Sequence, residues 1–478
     1  MIQNFQEQET KLFNYYLDTD AFPIPEENNV LYINKHGLEL IIRPNCNQTC
    51  EYCYIYQHGT ELYPNNNFTK EEQLKHIQLI LDWIFFERRN YFYKIELFAG
   101  DLFYDGIFLD FFEIYEEYLK HIKQKYPYIF QNRSTIIIPS NMRFVVEQPE
   151  IAEKVKQLHD HLLEKYDLKI AFSWSSDGPY GTFEREKIEL DDSYFDQIFK
   201  YCFNMDAGYH PMTSTHNVFY LKDNYTWWLK KMSEFAPKNT DFSYSDFAPS
   251  FLEVRNGDSW TQEAITAYLD FLTFAMEIRY NLCQKDVNLL TEHFYAPEIA
   301  QRHHLPRTTG YDHLALEFLQ DGVNKIESYP CGLQSELHIN CINMSIVPCH
   351  RTAYPLFTGA YFTFNESCTK ITGVKSNNFS TYFTLKTADI KNIPVCNICD
   401  YRNFCIKGCP GAQYEDSGEL FLPIESVCNL FKQKIDHLIS LHNNYGLIQN
   451  AIDNGYLQDD KKKYLMQKSY ELGYDLHE

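Results

Sequence analysis

No stretch of this 478-residue chain reaches the roughly 18 to 20 consecutive apolar residues that a membrane helix needs, which excludes a helical span. Its opening, MIQNFQEQETKLFNYY, lacks a charged-then-apolar leader, and the expected location is the cytoplasm. Positive charge is scarce too: 43 Lys and Arg stand against 65 Asp and Glu, a formal net charge of -22. Nucleic acid and anionic membrane surfaces are therefore excluded as main partners, and a neutral or basic partner fits better. The one basic run, Lys461 to Tyr464, reads as a solvated helix face. Neither an internal repeat nor a low-complexity linker interrupts the chain.

Cysteine, by contrast, is plentiful, with 14 residues. A chain of this length holds two or three domains with real cores, so it does not need disulfide staples. The cysteines are bunched, three near the N-terminus and most others between Cys331 and Cys428. In a reducing compartment such bunching points to metal.

From 38 to 257 short apolar runs alternate with amphipathic segments, the pattern of strand-then-helix units around a parallel sheet. LELIIRP (38–44), YKIELFAG (93–100), STIIIPSN (134–141), KIAFSWSSDG (169–178), MTSTHNVFYL (212–221) and FLEVRNG (251–257) read as strands. Leu74, Ile77, Leu81 and Ile84 recur at helical spacing behind Thr69, a natural N-cap, and 150–166 behaves alike. The expected fold is α/β: a partial (β/α)6 TIM-like barrel whose functional loops leave the C-terminal ends of the strands. It would follow an N-terminal segment (1–37). A helical connector (258–330), a small cysteine-rich domain (331–430) and a C-terminal helical tail (431–478) would come after it.

Cys46, Cys50 and Cys53 fall in a loop directly after the first strand. A structural zinc site wants four ligands, whereas three thiolates on a four-iron cluster leave one iron free. The spacing Cys46-x3-Cys50-x2-Cys53, with Tyr52 before the last cysteine, resembles the signature of the radical S-adenosylmethionine superfamily. The resemblance implies a 4Fe-4S cluster that chelates S-adenosylmethionine and yields a 5′-deoxyadenosyl radical. Ala99-Gly100-Asp101-Leu102 stands where the family carries Gly-Gly-Glu-Pro, with Gly100 allowing close backbone approach and Asp101 as a shorter acid. Ser140 and Asn141 stand where the family often shows Thr-Asn-Gly, and Ser175 to Pro179, with Asp177, is similar to its Ser-x-Asp-Gly-Pro. Arg185 falls where an arginine meets the cofactor carboxylate.

Cys331, Cys349, Cys396, Cys399, Cys405, Cys409 and Cys428 fill the seven places of the SPASM extension found on such enzymes. The resemblance assigns Cys396, Cys399, Cys405 and Cys428 to one auxiliary 4Fe-4S cluster and Cys331, Cys349 and Cys409 to another, three clusters in all. Cys341, an open iron or a substrate atom would complete the second auxiliary site. Cys202, Cys283 and Cys368 stand alone and read as small hydrophobes. Zinc is the alternative occupant of the array.

Clusters beyond the radical-forming one imply that an electron must leave the substrate. Similar SPASM proteins mature ribosomally made peptides or oxidise a sulfatase residue to formylglycine. The latter place an aspartate after the hairpin cysteine where this chain has His350, which reads either as a base near neutral pH or as a hydrogen-bond donor to a cluster sulfur. The expectation is a peptide maturase forming a thioether or carbon-carbon cross-link. It would act on a precursor peptide and draw electrons from a flavodoxin or ferredoxin. A sulfatase-maturating enzyme and a non-catalytic iron-sulfur or zinc scaffold are the alternatives. The 37 residues before the first strand are too few for a leader-recognition domain.

Overall fold

The computed structural model describes residues 2–18, 21–26, 29–34, 36–64, 66–98, 100–103, 105–181, 185, 191–205, 208–235, 259–296, 299, 313–316, 333–388, 393–405 and 408–477. Ala99, Cys331 and the expected strand 251–257 lie outside these residues. The chain divides into two compact units. The first joins Met1–Trp174, Asn204–Asp206 and Cys331–Ala388; the second joins Ser175–Phe203, Ala207–Pro330 and Asp389–Glu478. One cut thus falls inside the 38–257 stretch and another inside 331–430.

In chain order the strands are β1 Ala21–Glu26, β2 Asn29–Asn34, β3 Gly37–Ile41, β4 Asn90–Tyr91, β5 Lys94–Phe98, β6 Ser134–Ser140, β7 Leu168–Trp174, β8 Gly208–Tyr209, β9 Glu336–Asn340, β10 Ser345–Val347, β11 Ala360–Phe364 and β12 Ile371–Ser376. In the first unit the main sheet runs β12-β11-β10-β9-β3-β5-β6-β7. Its centre is parallel, with β3 between β9 and β5 and then β6 and β7, while β9 to β12 form an antiparallel meander. The expected strands 38–44, 93–100, 134–141 and 169–178 are thus present as neighbours in sequence order.

A parallel sheet must be covered on both faces, because its crossovers lay helices there. All of β3 is buried, and in β6 and β7 every second residue is. Helix Lys70–Asp82 starts on a capping box: the Thr69 hydroxyl accepts from Glu72 N (3.2 Å) and the Glu72 carboxylate accepts from Thr69 N (2.8 Å). Such a cap is worth about 1 kcal/mol. Ile77, Leu81 and Ile84 are buried as the periodicity predicts. Helix Pro149–Tyr166 opens on its proline and closes at Asp167, φ 47°.

The second unit is mainly helical, with Leu221–Phe235, Gln262–Leu282, Val287–Tyr295, Glu425–Asn444, Leu447–Asp453 and Asp459–Glu471. It also supplies a correction. Residues 212–221, expected as a strand, form loop, a 3-10 turn at Val218–Tyr220 and the start of a helix; the strand is the short β8 upstream. Local side-chain bonds decide this. Asn217 Oδ1 accepts from Ser214 N (2.9 Å), its Nδ2 donates to Met212 O (2.7 Å), and Ser214 Oγ accepts from Asn217 N (3.2 Å). These satisfy the backbone without a ladder. Among the described residues no helix is long and apolar enough to cross a membrane.

Candidate active site

The cysteine loop leaves the C-terminal end of β3. Ile42 N still bonds Phe98 O (3.0 Å), after which the chain turns away. Cys53 N donates to Cys50 O (3.1 Å), closing a tight turn that contains Tyr52, and Cys53 then serves as N-cap of helix Tyr54–Leu62.

The ends of β5 and β6 hold this loop. Asp101 N donates to Asn45 O (2.8 Å), and Gly100, at φ 42°, lies so close that a Cβ there would meet Asn45 O at 1.8 Å. Only glycine adopts this backbone at that approach. The Asp101 side chain is buried. Its Oδ1 accepts from Phe103 N (3.0 Å), and its Oδ2 accepts from Ser140 Oγ and Asn141 N (2.9 Å each). Asn141 Nδ2 in turn donates to Asn47 Oδ1 (2.7 Å) and lies 4.0 Å from Cys46 Sγ.

Gly100, Asp101, Ser140 and Asn141 are therefore brought together around the loop. The Asp101 carboxylate is engaged by the chain's own donors, and together with the Asp101 N–H on Asn45 O it ties three strand ends into one piece. Burial raises its pKa, and the Asn141 and Phe103 N–H groups oppose that rise.

Cys46 is exposed as a whole residue, yet its sulfur sits among protein atoms, and burial lifts the thiol to about 12. The Gln48 N–H opposes the lift, while Asp101, Cys50 and Cys53 add to it. Three thiols within electrostatic reach of one another, on a loop pinned by backbone bonds, fit a cluster with one open corner.

Ser175, Asp177 and Arg185 belong to the second unit and form their own network. Arg185 Nε lies 3.2 Å from Asp177 Oδ1, its Nη1 donates to Ser175 O (3.1 Å), and Asp177 Oδ1 also accepts from Met212 N (3.0 Å).

His350 lies in the first unit, at the start of a 3-10 turn behind Cys349. Its Nδ1 is 2.8 Å from Glu39 Oε2, its ring stacks on Phe98 (centroids 3.8 Å, planes 13° apart), and Tyr63 OH donates to its carbonyl (3.3 Å). Tyr54, the residue after Cys53, is 5.9 Å away ring to ring. Burial disfavours the imidazolium, but Glu39, by charge and hydrogen bond, turns the net shift upward.

Sequence reasoning missed what lies beneath His350. Glu39 pairs in register with His338 on one side and Glu96 on the other, placing a polar row across three adjacent parallel strands. Glu39, Glu336 and His338 are all buried, with ligand atoms within 4.8 Å of one another. Two ammonium groups compensate them: Lys94 bonds Glu336, and Lys386 bonds Glu336 O, Pro348 O and His338 Nδ1. Burial, then the Lys386 charge, holds His338 far below its usual pKa, so it stays neutral. Glu96 is pushed up to about 7 by burial, then by Glu39 and Glu336. The signal was present in the sequence, since a single charged residue in runs such as LELII or ELHIN has no place in a purely structural buried strand.

In the second unit Cys396, Cys399, Cys405, Cys409 and Cys428 line one cavity. Short-range bonds set their spacing: Cys399 N to Cys396 O (3.1 Å), Cys405 N to Tyr401 O (3.0 Å) and Cys428 N to Ile424 O (2.9 Å). Apolar residues such as Val427 and Phe431 share the wall with Tyr401, Arg402, Gln413 and Lys432, and among the described lining residues there is no carboxylate or imidazole. A donor set of thiolates alone fits an iron-sulfur cluster.

Cys349 in the first unit is half-buried, with Thr352 Oγ1 3.1 Å from its sulfur. Cys341, considered above as a fourth ligand, is fully buried at the hairpin turn, with its sulfur 4.0 Å from Ile339 O. By strand alternation it continues the Leu337 and Ile339 side, opposite the face on which Glu39 meets His350. Its burial is that of a packed side chain.

No family model matches the chain, and no curated protein does. Among solved structures it is similar to native anSMEcpe with bound S-adenosylmethionine and the Kp18Cys peptide (13% identity, TM-score 0.46, 85% of this chain and 99% of that one). It is also similar to Streptococcus suis SuiB bound to S-adenosylmethionine (13% identity, TM-score 0.38, 80% and 74%).

Proposed function

We propose that this chain is a radical S-adenosylmethionine enzyme of the SPASM type that oxidatively modifies a peptide, the first unit supplying most of a partial barrel. One observation carries the reading: the Cys46–Cys53 loop is locked to the ends of two neighbouring parallel strands by Gly100, Asp101 and Asn141. A loop that only coordinated a structural metal would need a fourth ligand and no such anchoring.

Cys46, Cys50 and Cys53 would hold the radical-forming cluster, whose bound S-adenosylmethionine supplies a 5′-deoxyadenosyl radical on one-electron reduction. Gly100 would admit the cofactor close to the backbone, with the Ser140 and Asn141 polar groups beside it; Ser175, Asp177 and Arg185 are further contacts by resemblance. Cys396, Cys399, Cys405 and Cys428 would hold one auxiliary cluster in the cavity they line. The other includes Cys349 and Cys331 by resemblance. His350 would take a proton from the peptide.

The proposed partners are a precursor peptide and a flavodoxin or ferredoxin donor, in the cytoplasm. Cross-linking removes two hydrogens from the peptide, and formylglycine formation changes its mass differently, so mass analysis after co-expression separates the two outcomes. The decisive test is iron-reconstituted, reduced protein with S-adenosylmethionine. It should release 5′-deoxyadenosine, and Cys46, Cys50 and Cys53 changed together to Ala should abolish it. Unchanged release from the triple variant would overturn the proposal.

A further inference from the structure

The buried polar row under His350 asks for a role. Burying an acid in the middle of a parallel sheet is costly unless its oxygens are bonded. Glu39 is 2% exposed, its Oε1 is buried without a hydrogen-bond partner among the described residues, and its Oε2 faces two imidazoles, His350 Nδ1 at 2.8 Å and His338 Nε2 at 3.7 Å. A divalent cation is the first thought for Glu39, Glu336 and His338. The neighbouring ammonium groups argue otherwise. Lys94 already neutralises Glu336, and Lys386 donates to His338 Nδ1, which puts the proton of neutral His338 on Nε2, the atom a metal would need.

We propose instead that Glu39 is a positioning residue for His350. A carboxylate can only accept here, so the Nδ1 proton of His350 points at Glu39 and the proton-accepting lone pair lies on Nε2. That nitrogen makes no hydrogen bond among the described residues, and the side chain is 30% exposed, so Nε2 is the free end of a clamped ring. Phe98 on the ring face and Tyr63 on the backbone carbonyl remove the remaining freedom. His338, whose Nε2 faces Glu39 Oε2 at 3.7 Å, and Lys386 behind it pack against the acid in turn. When Nε2 takes a proton from a substrate X–H group, that bond breaks, a new N–H forms, and Nδ1–H stays on Glu39, whose charge stabilises the imidazolium. This assignment rests on the peptide-modifying reading above.

The test uses reconstituted holoenzyme and the Glu39→Gln, Glu39→Ala and Glu39→Asp variants. Carbethoxylation followed by peptide mass mapping reads the clamp without turnover. His350 should take one group in the wild type and two in Glu39→Ala, where Nδ1 is released. With a cysteinyl peptide deuterated at Cα and Cβ as probe, wild type and variants should all carry deuterium into 5′-deoxyadenosine. Modified peptide per 5′-deoxyadenosine should fall about tenfold or more in Glu39→Ala and recover in part in Glu39→Asp. Two groups on wild-type His350, or an unchanged ratio in both Glu39→Ala and Glu39→Gln, overturns the positioning role. Wild type that yields 5′-deoxyadenosine free of deuterium overturns the peptide reading itself.

Discussion

Gly100 and Asn45 approach so closely that a Cβ on residue 100 would lie 1.8 Å from the Asn45 carbonyl oxygen and 2.6 Å from its carbon. Both obstacles are backbone, so no rotamer change relieves them. Gly100→Ala should therefore push the Cys46 loop away from β5 by about an ångström or more. A shift of that size typically costs about 100-fold in rate. The variant should fold, keep the iron of the second-unit cavity, and lose 5′-deoxyadenosine release by about that factor. Full release would show that the loop does not depend on this contact.

Asp101 serves the same anchoring by a different means. Asp101→Asn keeps the size but presents an amide N–H₂ where Ser140 Oγ, Asn141 N or Phe103 N now donates, leaving at least one buried donor unsatisfied. Loss of about 2–3 kcal/mol in unfolding free energy is expected, measured by denaturant titration. Weaker S-adenosylmethionine binding should accompany it. A variant as stable as the wild type would mean that these bonds are not formed together.

The row of acids gives a pH signature. Glu96 is half-buried and pushed up to about 7 by burial and by Glu39 and Glu336, whereas in an unfolded chain it titrates near the ordinary glutamate value. Between those two values the folded protein binds more protons than the unfolded one, so stability falls as pH rises through this window. Glu96→Gln removes the charge. It should match the wild type near pH 4.5 and exceed it by about 2–3 kcal/mol at pH 8, read from denaturation midpoints at both pH values. A constant difference across that range would mean that Glu96 is not strained by its neighbours.

How much of this was legible in the sequence depends on whether local or long-range forces decide a residue's place. The first four expected strands, β3, β5, β6 and β7, and the Thr69 cap follow from short-range pattern and appear where the residues predict them. The 212–221 strand failed because Ser214 and Asn217 bond their own backbone, a competition that apolar alternation does not register. That β9 lies beside β3 pairs residues about 300 positions apart, such as Glu39 with His338, and no local pattern carries that information. Hence the cysteine loop was visible from its motif while the Glu39 row was not, although each of its acids stood out in an apolar run.

Two cysteine settings, the half-buried Cys399 and the fully buried Cys341, separate ligand from packing. Cys399 lines the five-cysteine cavity of the second unit, whereas Cys341 is fully buried at the hairpin turn of the first, its sulfur 4.0 Å from the Ile339 carbonyl. On the proposed function, Cys399→Ala should lower bound iron and the absorbance of the holoenzyme by one cluster while leaving 5′-deoxyadenosine release intact, because the Cys46–Cys53 loop proposed to form the radical belongs to the other unit. Modified peptide should disappear, since under the proposed reaction the electron leaving the substrate would lose its acceptor. Cys341→Ala should do neither and cost about 1–2 kcal/mol of stability through the small void it leaves. Iron lost from Cys341→Ala, or none lost from Cys399→Ala, would reverse the assignment. The two variants share one chemical change and differ only in what surrounds the sulfur, so iron content alone decides between them.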